Sequence, residues 1–235
     1  MSSIHFLDSN VIVRSRKTWD KTADAIRYMS DIKVKRYTCE KVCSEVSIYF
    51  KRTRGIILAF LKRVDDNART LSKTVAKEDI DRWANDFKIE RRYTDEDRIW
   101  QSLLKFVSTK ADDILFHVNG GPRQIEIYKE KVVDEWEAAF ITLKQDCRHD
   151  DDAPITLTYG CPVDHKTTVQ YTAIREVVTN EDDIKILFDC YYIRREKASG
   201  GDVDFVTYDY EDIISHKSVI EVVFGGIKIL TPVYR

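Results

Sequence analysis

Apolar positions along this chain fall into two rhythms, and the change from one to the other divides it. Ile4 to Leu7 is a short, mostly apolar run of the kind that forms a buried strand. Trp19 to Met29 follows at helical spacing, with Trp19, Ala23, Ala25, Ile26 and Met29 as its stripe and Thr18 as its cap. Lys33 to Tyr37 predicts a second strand, with Thr38 able to N-cap what comes next. From Cys39 a helix carries Val42, Val46, Ile48 and Tyr49 towards Phe50. Strand, helix, strand, helix is the rhythm of a doubly wound α/β protein.

The middle of the chain keeps a helical period from Ile56 to about Val107, broken near Arg92-Tyr93-Thr94. Gly120-Gly121-Pro122 marks a turn, and Ile125 to Leu143 resumes the helical stripe. After the acidic run Asp146 to Asp152, Thr156 to Tyr159 and Thr167 to Ile174 alternate like two antiparallel strands around Gly160-Cys161-Pro162. The last quarter returns to α/β. It reads as a helix Asp183 to Ile193, a strand Val203 to Thr207, a short helix near Glu211 to Ser215, and a strand Ile227 to Leu230 stopped by Pro232. With sheet elements at both ends, the expected organisation is one domain over 1–235. Its core is 1–55 and 175–235, interrupted by a helical and hairpin insertion over 56–174.

Composition adds bounds rather than direction. The chain has 235 residues, is 43% hydrophobic and 33% charged, and carries only four Pro, so it is expected to pack a globular core. No apolar run is long enough to cross a bilayer, and Asp8 interrupts the only stretch resembling a signal peptide. A cytoplasmic location is the expectation. Five cysteines without a CxxC pair fit a reducing compartment, and Cys39 and Cys43 read as two small residues on one helix face. A net charge of −2 neither announces nucleic-acid binding nor excludes a local basic groove.

Candidate chemistry lies in the acids. Asp8 and Asp209 each follow a strand, at the carboxyl tip where open parallel sheets place their ligands. Asp183 opens the helix that feeds the second of those strands, where the helix dipole favours its ionised form. Glu45 sits among Val42, Val46 and Ile48, beside a face that should otherwise be apolar. Carboxylates crowded into one crevice stay ionised together only if hard cations neutralise them, which suits Mg2+ or Mn2+. Glu40 competes with Glu45 for this role, and Asp182 competes with Asp183.

These four positions give the chain a resemblance to the PIN-domain nucleases. It is carried by Phe6-Leu7-Asp8-Ser9-Asn10-Val11, by Thr38 to Glu45 with Val46, by Asp183-Ile184-Lys185-Ile186-Leu187, and by Phe205-Val206-Thr207-Tyr208-Asp209. Ile227 to Pro232 is similar to that family's closing strand. The resemblance covers about 1–55 and 175–235, and the long middle departs from compact members. It implies a three-layer α/β/α sandwich around a mainly parallel sheet. It also implies an endoribonuclease in which Mg2+ or Mn2+, held by Asp8, Asp183 and Asp209 with Glu45, activates water against a phosphodiester.

Ser9, Asn10, Thr207 and Asp182 are the supporting residues in that picture: Asn10 orients the Asp8 loop, and Thr207 bonds a carboxylate or phosphate. Arg14, Arg16, Lys51, Arg52, Arg54, Arg194 and Arg195 are candidates for phosphate contact, and Tyr208 for stacking on a base. RNA is the expected substrate, with DNA, a protein partner or inhibitor and a homodimer left open; no membrane is implied. A PIN-like scaffold that binds without cleaving is the alternative. Haloacid-dehalogenase phosphatases need Asp-x-Asp where Asn10 stands, receiver domains need a different acid spacing, and Cys161, Asp164, His165 and His149 match no standard zinc pattern.

Overall fold

The computed structural model describes residues 4–16, 23–71, 73–199 and 201–232. By its internal contacts the chain divides into two compact units. The first takes in described residues of Met1–Lys17, Lys21–Val46 and Thr142–Arg235, the second Ser47–Ile141.

The first unit is built on a six-stranded sheet in which every pairing is parallel. Its strands are β1 (Ile4–Leu7), β2 (Lys35–Cys39), β3 (Cys147–Arg148), β4 (Ile155–Thr158), β5 (Val203–Val206) and β6 (Ile227–Leu230), in the order β3-β4-β2-β1-β5-β6. Parallel strands need crossovers, and helices supply them: α1 (Ser9–Arg16) and α2 (Ala23–Ser30) after β1, α8 (Glu181–Lys197) before β5, and α9 (Lys217–Phe224) before β6. Buried strands read as apolar runs, and β1 and β5 are of that kind. Phe6 and Phe205, paired in register, stack with ring centroids 5.9 Å apart, both shut off from solvent. Truncating either to Ala would cost about 3–5 kcal/mol. From β1 the chain runs to β2 on one side, while β5 and β6 lie on the other. The crevice beyond the carboxyl ends of β1 and β5 is therefore the topological switch point, where such sheets bind ligands.

The second unit is helical. It contains most of α3 (Glu40–Thr70) and α6 (Pro122–Asp146), together with α4 (Lys77–Arg91) and α5 (Arg98–Asn119). Trp83, Trp100 and Trp136 are buried in it, Trp136 edge-on to Phe50 at 5.1 Å. The break expected near Arg92 is real: Arg92 closes α4 in the left-handed region at φ 57°. Gly120 and Gly121 separate α5 from α6.

Four expectations need correcting. Thr167 to Ile174 is not a strand: Val169–Arg175 is a helix, α7, and the antiparallel hairpin does not exist. Thr168 caps that helix by accepting from the Tyr171 amide at 3.2 Å, and Tyr171 and Ile174 turn inward at a spacing of three. Its supposed partner, β4, lies in the central sheet beside β2. Thr38 is no cap either. It ends up inside β2, donating its hydroxyl to the Leu7 carbonyl at 3.0 Å. The helices expected from Cys39 and from Ile56 are one continuous α3, because Gly55 lies on an open helical face and does not break it. Finally, the loop expected around Asp8 and Asn10 is absent, because Ser9 and Asn10 are already the first residues of α1. The Thr18 cap and Trp19 lie outside the described residues.

Candidate active site

Asp8 stands where β1 ends and α1 begins. Its amide extends the β1–β5 ladder by donating to the Val206 carbonyl at 3.0 Å, and its own carbonyl accepts from Val11 at 3.2 Å to start the helix. The carboxylate, only 6% exposed, accepts from the Ser9 amide at 2.5 Å and the Asn10 side chain at 2.7 Å. The Thr207 hydroxyl donates to it at 2.6 Å. Thr207 follows β5, so this last bond joins residues almost two hundred positions apart.

The hydroxyl of Thr207 is fully used. It donates once, to Asp8, and accepts from Asn10 Nδ2 at 3.0 Å and the Asp209 amide at 2.9 Å. Asn10 Oδ1 accepts from the Tyr208 amide at 2.8 Å, which also fixes the amide's orientation, since a flipped Asn10 would face Asp8 with oxygen. Two strand tips are thereby locked together with their acids on one side.

Asp209 begins a turn over residues 210–213, and the turn folds back on it: the Asp212 amide donates to Asp209 Oδ1 at 3.1 Å. Asp183 arrives from α8, third in a helix capped by Asn180, whose side chain accepts from the Asp182 amide at 3.0 Å. One carboxylate oxygen from each of Asp183, Asp209 and Asp212 lies within 4.8 Å of the others. Asp212 escaped the sequence reading. Its only signal is its place three residues after Asp209, in a Tyr-Glu-Asp context that looks like ordinary surface.

Electrostatics show how closely the acids crowd. Burial pushes the Asp183 carboxyl up to about 7, and Asp8, Asp209, Glu45 and Asp212, in that order, each push the same way. Burial also raises Asp8, which Asp209 raises further against the hydrogen bonds from Thr207 and Ser9. Glu45, in the second turn of α3, is raised by burial and by Asp8, while Lys41 and the Ser9 hydroxyl hold it back. The competing acids separate cleanly. Glu40 is exposed and lies 3.6 Å from His149 Nε2, while Asp182 pairs with Lys41 at 2.7 Å. Lys41, also not foreseen, stands 3.9 Å from Glu45 one helical turn away.

The expected cations are scattered. The Arg14 guanidinium lies 4.3 Å over the Tyr208 ring, next to Asp209. Arg16 is engaged with Asp146 in an ion pair. Lys51, Arg52 and Arg54 belong to the helical unit, where Arg54 reaches Glu137 at 3.4 Å. Arg194 and Arg195 sit about 16 Å along α8 from Asp183, Arg194 against Gly226 at the opposite edge of the sheet. The structure does not bring those two to the carboxylates. It does offer an aromatic pair at the acids' edge: Tyr159, just past β4 and 82% exposed, stacks on His149 at 4.2 Å.

Scans against models of protein families, against curated proteins and against solved structures each give no significant match. Fold and site together define a class: an α/β protein with a six-stranded parallel sheet, a long helical stretch in mid-chain, and an acidic cluster at the switch point of the sheet. None of its helices is long and apolar enough to cross a membrane, among the described residues.

Proposed function

We propose that this protein is a metal-dependent nuclease of the PIN-like kind, built as a three-layer α/β/α sandwich, that hydrolyses phosphodiester bonds in RNA. One observation carries the reading. The acids of the four motifs, Asp8, Glu45, Asp183 and Asp209, act on one another across the switch-point crevice, and the Asp183 carboxyl is pushed up to about 7. Acids kept in such repulsion suit a divalent cation, and an all-oxygen donor set is the kind that Mg2+ and Mn2+ take.

Asp183, Asp209 and Asp212 would hold the ion, with Asp8 and Glu45 completing the negative wall. A bound Mg2+ or Mn2+ supplies a water of lowered pKa and positive charge for the oxygens of the phosphodiester. The chain's own residues do the rest. Thr207 and Asn10 fix the Asp8 carboxylate in one orientation, so that no reorganisation is needed when substrate arrives. A cation held there would favour the ionised form of Asp183, whose carboxyl burial and the neighbouring acids otherwise raise. Arg14 over Tyr208 offers charge to a phosphate and a ring to a base, and Tyr159 on His149 offers a second stacking face. The preference for RNA over DNA rests on the family resemblance.

The test is to incubate the purified protein with tRNA, mRNA and single-stranded DNA, with and without Mn2+, beside Asp8→Asn. Metal-dependent cleavage of RNA that Asp8→Asn loses, with circular dichroism unchanged, is the expected result. Asp8→Asn cutting at the wild-type rate would overturn the reading. RNA that is bound but never cut would overturn it too, in favour of the scaffold.

A further inference from the structure

The sheet of the first unit has two edges, and they are closed by different means. At one end β3 is only two residues long, too short to receive another strand. At the other end β6 runs Ile-Lys-Ile-Leu and is paired on one side alone among the described residues. A strand of that kind is a ready template for a second one.

The backbone of β6 shows which groups would receive it. Along a strand, the peptide groups of successive residues point to opposite sides. Gly226 and Leu230 turn their carbonyls towards β5, accepting from the Val203 and Thr207 amides at 2.9 Å each. Ile229, next to Leu230, therefore turns both its amide and its carbonyl outward. Neither is left open. The Ile229 amide donates to Glu221 Oε1 at 2.8 Å, and the Ile229 carbonyl accepts from Lys217 Nζ at 2.9 Å. These two side chains stand one turn apart on α9 and lie 3.6 Å from each other as an ion pair. One acceptor and one donor thus meet Ile229 as the carbonyl and amide of a neighbouring strand would.

We propose that Lys217 and Glu221 guard the β6 edge, and that without them a second copy of this chain pairs there, β6 against β6. The occupant follows from the strand's own register. Antiparallel pairing about a two-fold axis at Ile229 lets that residue and its counterpart exchange both backbone hydrogen bonds. Lys228 of each copy then lies opposite Leu230 of the other, so like charges do not meet. Both positions are exposed on the single chain. Such a contact closes at two copies. Pairing β6 with β3 of another copy would be open-ended, and the two-residue β3 offers little to hold. Nothing in this depends on the nuclease reading.

The experiment compares the full chain with its Lys217→Ala, Glu221→Ala double variant by size exclusion with light scattering over a range of concentrations. Deuterium exchange is read at the peptide carrying Ile229. Alanine suits both helical positions, and circular dichroism with a thermal melt checks the fold. The wild type should keep one mass throughout. As concentration rises, the double variant should go over to twice that mass. Its Ile229 peptide should exchange fast when dilute and slowly when concentrated. Glu221→Gln keeps an oxygen for the Ile229 amide and should hold the wild-type mass. Glu221→Ala alone, which opens only the amide, should also associate, at higher concentration, and it carries the test if the double variant loses its fold. Leu230→Lys added to the double variant sets like charges opposite each other and should return the mass to that of the wild type. A folded double variant that keeps the wild-type mass at every concentration overturns the proposal. Association that Leu230→Lys leaves untouched, or that grows beyond two copies, overturns it as well, because the contact is then not β6 against β6.

Discussion

Each unit of this molecule buries acids, and the two treat them oppositely. In the helical unit Asp65 is 5% exposed, and burial alone would raise its carboxyl. Arg69, bonded through two nitrogens at 2.8 and 3.0 Å, and Lys129 at 3.5 Å outweigh that and hold it below the ordinary range. Asp79 is likewise lowered, first by the Ala76 amide at 3.1 Å and then by Lys73 and Arg82. In the sheet unit the groups that press on Asp183 are themselves acids, and they drive it up. The helical acids carry their counter-ions with them. Those at the sheet edge are assembled as though the counter-ion comes from solution. An arrangement that weakens its own fold is expected where function demands it.

The sharpest way to break this contrast is to remove charge from the sheet-edge cluster and follow chemistry. Asp8→Asn should lower metal-dependent RNA cleavage by about 10^3-fold or more, at unchanged KM for RNA, because the lost charge acts on the reacting centre. Thr207→Val comes next. It removes the hydroxyl that links the two strand tips, leaving Asp8 without its 2.6 Å donor and the Asp209 amide without its acceptor. Losses of about 10–100-fold in kcat or in metal affinity are typical when such a partner goes. Thr207→Ser should restore most of it, and no rescue by Ser would show that the methyl group, not the hydroxyl, mattered.

On the helical side the expected effect is on stability. Asp65→Asn leaves Lys129 and Arg69 facing a neutral amide and should destabilise the fold at pH 7 by about 1–3 kcal/mol, less than a fully buried pair because Arg69 is half in water. The sign follows from a carboxyl held low. Its stabilisation is present above the ordinary carboxylate pKa and is lost as pH falls through the lowered value. Mutant and wild type should therefore converge in acid, as urea melts at pH 7 and about pH 2.5 can check. A gap that persists in acid would mean that lost packing, not charge, is the cause.

How much of this was legible in the sequence depends on whether a feature is local. The strands β1 and β5 announce themselves as mostly apolar runs, because strands covered on both faces have little polar period to hide in, while the edge strand β6 shows itself by alternation, with Ile227 and Ile229 inward and Lys228 outward. The acids at their tips are visible for the same reason: Asp8 and Asp209 end such runs. Val169–Arg175 failed because its β-branched residues mimic a strand, whereas a Thr168 cap and the inward pair Tyr171 and Ile174 decide for helix. Asp212 and Lys41 failed for another reason. Each is placed by a contact no local pattern encodes, Asp212 by a turn that reverses onto Asp209 and Lys41 by its bond to Asp182 across the unit. Likewise the Asp8–Thr207 bond is a product of strand order, and strand order is a property of the whole sheet.

The subtlest test asks whether the sheet-edge acids repel one another as strongly as their surroundings imply. Asp183→Asn keeps the shape and deletes the charge. A carboxyl raised to about 7 from an ordinary value near 4 binds its proton more tightly in the folded chain than in the unfolded one, so folding stability falls as pH climbs between those values. Above pH 7 the penalty is complete. Taken at face value the shift corresponds to about 4 kcal/mol, but Asp183 is only half-buried and solvent screens it, so about 1–2 kcal/mol is the realistic scale. Metal-free Asp183→Asn should therefore melt about 2–6 °C above wild type at pH 8 and level with it at pH 4. The same Asp-to-Asn change that weakens the helical unit should strengthen the sheet unit. Added Mg2+ should then close the gap from the wild-type side, because the ion supplies the charge that the mutation makes unnecessary. If Asp183→Asn is no more stable at pH 8 than at pH 4 relative to wild type, the two regions do not differ in the way their carboxylates suggest.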